Sequence, residues 1–248
     1  MMNIRHLKLA FAILLLFPIS PLFGGAVDHT TLDRLLLEAV DKHGGVDYEV
    51  LLAKKPQLDD YLAGLAKIDP NRLDSREEQL AYWINLYNSL TIQSVLDHWP
   101  VRSVLNDFPG NAFFEKWKHK TAVGELTLNQ IETDIIRKRF QELRVHFALN
   151  CASKGCPDLF PGAYTAENLE KILEMATKRF INDPAKNRID ASQGVAHLSP
   201  IFDWYGADFD AAGGALAFVT KYLDNADAWK IGKYKVVYND YDWGLNSR

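Results

Sequence analysis

The stretch from Ser75 to His98 constrains this chain most. Ser75-x-x-Glu78 is a capping box, the pattern in which a side chain satisfies the first free amides of a helix. It opens a long helix, REEQLAYWINLYNSLTIQSVLDH, with Leu80, Trp83, Ile84, Tyr87, Leu90, Thr91 and Val95 on the 3.6-residue period. A helix of that length and apolarity needs the rest of the chain to cover it, and further helix signals stand on both sides. Thr30-Thr31 precedes a leucine-rich segment stopped by Gly44-Gly45, and Pro56 suits the first turn of a helix to about Lys67. Thr127-x-x-Gln130 is a second capping box, Thr165 precedes a helix ending before Asp183-Pro184, and 215–222 reads as another. Strand signals are shorter: a hairpin around Gly124, a buried strand over Arg144–Leu149, a hairpin 188–198 turning at 191–194, and an alternating segment from Lys233 to Tyr238. Helices dominate and strands do not alternate regularly with them. The expectation is an α+β fold: a predominantly helical single domain, residues 27–248, packed on a small, mainly antiparallel sheet.

Residues 1–26 read as an export signal rather than as part of that domain. Arg5, His6 and Lys8 precede an apolar run from Leu9 to Ile19, Pro18 and Pro21 break it, and Gly24-Gly25-Ala26 supplies a small-residue cleavage point. The run is too short to span a bilayer, which takes a helix of about 20 residues. The alternatives are a buried N-terminal helix or an uncleaved anchor. Export places the chain in the periplasm. Losing Arg5 and Lys8 and no acid takes the net charge from −4 to −6. No basic block is present, so a nucleic-acid partner has no support, and no later segment is apolar enough for an integral membrane span. The chain has only two cysteines, too few for a disulfide scaffold or a four-cysteine metal site.

Three segments place polar residues in apolar settings. Asn85 and Asn88 sit three apart in the long helix, on neighbouring positions of one face. Either both amides tie backbone into place or one lines a pocket or stabilises an oxyanion. In Arg144–Cys151 a strand would project His146 and Asn150 together beside the loop that carries Cys151 and Cys156. In an oxidising compartment these two cysteines pair as a disulfide. As free thiols they would instead supply a nucleophile, with His146 as base. The third segment pairs acids with aromatics: Asp203-Trp204-Tyr205, and Tyr238 to Trp243. Its rings either anchor chain ends onto the core, or Asp203 and Trp204 contact a ligand or orient His146. No metal site and no cofactor are expected. GxSxG, GxxxxGK[ST], GxGxxG after a strand and HExxH are all absent.

Gly45-Val46-Asp47-Tyr48, AYWINLYNSLTI at 81–92, Leu126-Thr127-Leu128 with Ile131-Glu132, RVHFALNCASKGCP at 144–157 and YDWGLN at 241–246 occur in that order. Together they resemble the bacterial family known as domain of unknown function 547, over about residues 45 to 246. The resemblance implies no activity, and its motifs fall on Asn85, Asn88, His146, Asn150, Cys151 and Cys156. A looser similarity, of a long helix beside a histidine-bearing strand, is to papain-like and transglutaminase-like enzymes, but here the helix carries no cysteine. Two functions follow as expectations. One is a periplasmic binding or assembly module, taking a small polar ligand or peptide in a pocket near His146. The other is a thiol-dependent hydrolase or acyl-transfer enzyme acting on an envelope peptide or amide.

Overall fold

The computed structural model describes residues 26–224 and 228–248, so residues 1–25 of the expected signal lie outside the described residues. Four helices open the fold: α1 (Thr30–Ala39), α2 (Tyr48–Ala53), α3 (Lys55–Leu65) and α4 (Arg76–Asp97). Ser75 caps α4 by accepting the Glu78 amide at 3.0 Å. Glu78 does not return the bond. Its carboxylate accepts the amides of Asp74 and Val27 instead. Every residue from Leu80 to Ile92 is buried, so α4 is surrounded on all sides rather than on one apolar stripe. Helices α1 to α3 cover one flank.

The chain then forms α5 (Ala112–Glu115), the antiparallel hairpin β1 (His119–Thr121) and β2 (Gly124–Leu126), and α6 (Leu128–Gln130). Here the capping box is complete: Thr127 accepts the Gln130 amide at 3.2 Å and Gln130 accepts the Thr127 amide at 3.0 Å. Past α6 the backbone widens into a π-helix, Ile131–Phe140. The remaining elements are α7 (Leu169–Ile181), β3 (Arg188–Asp190), β4 (Val195–Leu198), α8 (Ile201–Trp204), α9 (Gly206–Asp210), α10 (Ala215–Tyr222) and β5 (Lys235–Tyr238). Strand β4 pairs antiparallel with β3 and parallel with β5. The fold is helix-dominated α+β: 51% helix, ten helices and two small sheets among the described residues. None of these helices is long and apolar enough to cross a membrane.

One expected strand is not a strand. Leu143–Phe147 is a tight 3-10 helix, in which the Val145 amide bonds Glu142 O and the Ala148 amide bonds Val145 O. The reason is burial in three directions. Val145, Ala148 and Leu149 enter the core around α4. Phe147 enters a second, aromatic core with Phe180, Phe202, Phe209 and Phe218. His146 takes a third direction, into a pocket. Three residues per turn can serve three directions, whereas a strand has two faces. A continuous apolar run cannot be assigned to strand or helix by periodicity.

The last residues lie across the fold as a strap. Val46 bridges Ser247, Ser103 bridges Gly244 and Ser153 bridges Leu245, while the Tyr48 hydroxyl donates to Asn246 at 2.8 Å.

Candidate functional site

The 3-10 turn, α4, the π-helix, α8 and the strap converge on one pocket of ≈ 160 Å³. His146 is buried, and its Nε2 lies 2.9 Å from Asp208 Oδ2. Arg137 clamps the same carboxylate through Nε at 2.7 Å and Nη2 at 3.1 Å. The hydrogen bond from His146 and the two from Arg137 hold Asp208 below the usual carboxylate range, so it is an acceptor only. Nε2 therefore carries a proton that Asp208 accepts, and Nδ1 has no hydrogen-bond partner among the described residues. Tyr205 stacks on the imidazole at 4.2 Å, and the Arg137 guanidinium lies 4.7 Å from the Tyr205 ring. The same imidazole borders a second cavity of ≈ 450 Å³, lined by Arg137, Glu142, Asp208 and Ala211 among others.

Glu132 enters the first pocket from the π-helix. The buried Tyr87 of α4 donates to it at 3.3 Å. Burial, reinforced by the Glu132 charge, pushes the hydroxyls of Tyr87, Tyr205 and Tyr241 well above ordinary tyrosine behaviour, so all three stay protonated. The strap supplies Tyr241 and Trp243, which pack with Trp204 at centroid distances of 4.8 and 5.6 Å and with each other at 4.6 Å. Trp204 is 48% exposed, unusual for so large a ring.

Cys151 and Cys156 are joined as a disulfide and both line the pocket. The Tyr241 hydroxyl lies 3.4 Å from Cys151 Sγ, and Ser153 Oγ lies 3.0 Å from it. Gly155 matters here, because a Cβ at that position would stand 2.9 Å from the Tyr241 ring. Strap carbonyls bind the loop: Lys154 N donates to Gly244 O and Gly155 N to Asp242 O, both at 2.8 Å. Among the described residues no hydrogen bond joins His146 to either cysteine, and no group of three or more His, Cys, Asp or Glu stands together as a metal site.

The sequence-derived candidates separate into two groups. His146, Cys151, Cys156 and Trp204 line the pocket. The asparagines hold backbone instead. Asn85 exchanges two hydrogen bonds with the Tyr164 backbone, at 2.7 and 2.9 Å. Asn88 donates to Ala148 O at 3.0 Å and accepts the Asn150 amide at 2.9 Å. Asn150 donates to Pro157 O and accepts from the Ala152 amide and Asn246. Both helix asparagines thus act as ties, and neither lines the pocket. Asp203 is exposed and outside the pocket; the carboxylate that orients His146 is Asp208, five residues further on in α9. Sequence reasoning missed Asp208, Arg137, Glu132 and Tyr87 as site residues. Tyr87 and Glu132 stand inside the motifs that carried the family resemblance, as Tyr241 and Trp243 do, and that is the signal that could have found them.

Residues 70–181 match the model of the family described as "protein of unknown function, DUF547". That span contains α4, Glu132, His146 and both cysteines. It leaves out Gly45–Tyr48, the Trp204–Asp208 segment and the strap. No curated protein and no solved structure matches the chain.

Proposed function

We propose, for a chain that carries the DUF547 match over residues 70–181, that it is an exported binding module. It takes a small polar ligand, or the end of a peptide, in the pocket before His146. The observation behind this reading is convergence. One concave site gathers an oriented imidazole, a carboxylate, three protonated tyrosine hydroxyls and an aromatic wall, beside a loop fixed by a disulfide. Such a loop holds recognition groups in place and lowers the entropy lost on binding. Export is supported by the charged and apolar composition of residues 1–26 and by the paired cysteines. Osmotic-shock fractionation tests the location: the released chain is expected to begin at Val27. For binding, Trp204 and Trp243 give an intrinsic fluorescence signal in titrations with the small-molecule fraction of an envelope extract. The signal is expected in the wild type and absent in Trp204→Ala/Trp243→Phe.

A second reading is favoured by a separate observation, the free Nδ1 of a carboxylate-oriented histidine in a pocket lined by sulfur. It is thiol-dependent hydrolysis or acyl transfer on an envelope peptide or amide, which requires the Cys151–Cys156 bond to be reduced first. The mass of native protein after thiol alkylation, with and without prior reduction, decides between them. Alkylation without reduction supports the enzyme, and alkylation only after reduction supports the module.

A further inference from the structure

Resting on the binding-module reading, we propose that the group this pocket takes is a primary ammonium carried on a body the size of one side chain. The charge inventory points there. Glu132 is the one carboxylate lining the pocket among the described residues, and no lysine or arginine lines it. Arg137, the nearby guanidinium, is committed to both oxygens of Asp208. The hydrogen bond that Glu132 receives comes from the neutral Tyr87 hydroxyl; Arg137 acts on its charge from a distance, and no ion pair forms on it among the described residues.

Burying that carboxylate under an anion would add like-charge repulsion, and burying it under a neutral apolar group would remove its water without replacement. An ammonium supplies the opposite charge and three donors, and the pocket offers it the carboxylate of Glu132 as acceptor. Trp204, Tyr241 and Trp243 pack together in the pocket lining, and aromatic rings attract a cation brought over a face. Size sets the rest of the ligand. A cavity of ≈ 160 Å³ holds about one benzene-sized group, so the pocket takes an end group and not a whole chain. A free amine and the amino terminus of a peptide both present this chemistry.

Calorimetric titration of the full chain with three probes of one size tests the proposal: 2-phenylethylammonium, 3-phenylpropanoate and 2-phenylethanol. The ammonium is expected to bind about tenfold tighter than either competitor, the scale of one charge-assisted hydrogen bond. Glu132→Gln is expected to erase that preference, and the wild-type ranking decides alone if the variant fails to fold. Equal or tighter binding of the carboxylate or the alcohol overturns the ammonium assignment and leaves the binding module standing. Binding of none of the three, where the envelope extract still gives a signal, also overturns it; silence in both experiments overturns the module itself. Phe-Gly-Gly and its N-acetyl form separate the sources. Tighter binding of the free tripeptide than of phenylethylammonium, lost on acetylation, assigns a peptide terminus. Weaker binding assigns a free amine.

Discussion

Asn88 holds two backbone groups that have no other partner among the described residues, Ala148 O and the Asn150 amide, just past the turn that aims His146. Truncating it strands both groups in a buried setting. Asn88→Ala is expected to destabilise the chain by roughly 1–3 kcal/mol for each stranded group, read as a fall in the urea midpoint. Ligand affinity should weaken with it, because the imidazole loses its fixed aim. That this residue needs a partner was legible, because a polar amide inside an apolar helix demands one; whether the partner is backbone or a pocket was left open, and the structure makes it backbone. The aim of His146 was not. It depends on whether residues 144–149 turn or extend, and a run buried in every direction carries no period to read. Asp208 was missed for a related reason. Nothing in the spacing of Asp203 and Asp208 says which carboxylate folds inward, and the choice falls to Arg137, 71 residues away.

At the scale of elements, the start of α1 carries a pH dependence. His29 precedes the helix, is buried, and lies 2.7 Å from the Tyr61 hydroxyl through Nδ1. Burial pushes its pKa down to about 4. The folded chain therefore keeps His29 neutral where the unfolded chain begins to take up a proton. Stability from this group is whole above pH ~6.5 and declines as pH falls toward 4, by up to about 1.4 kcal/mol per pH unit. His119, half-buried and also shifted down by loss of water, adds in the same direction. Thermal melts between pH 7 and 4 should slope less steeply in His29→Gln than in the wild type. Most elements were legible because their ends are marked by residues with a local mechanism: Ser75 and Thr127 cap, and Pro56 stands in a first turn. The parallel pairing of β5 with β4 was not, since partner direction is set by the chain between them and not by either strand's pattern.

Across the whole molecule, the strap joins what sequence keeps apart. Its three bridges and the Tyr48–Asn246 hydrogen bond reach Val46, Ser103 and Ser153, and its Tyr241 and Trp243 wall the pocket. Deleting residues 241–248 is expected to lower the melting temperature and abolish ligand binding together, as checked by circular dichroism melts and the tryptophan titration. The aromatic ends of the chain hinted at such anchoring, but only the folded arrangement shows that the strap also packs the disulfide loop. A last consequence follows from the single imidazole that borders two cavities. Shortening it in His146→Gly is expected to leave a void of imidazole shape beside Asp208, next to both cavities. Free imidazole added to that variant should occupy the void and raise its melting temperature in a concentration-dependent way, while the wild type stays unmoved. The chain can thus be complemented by a small molecule at the one side chain on which its pocket turns.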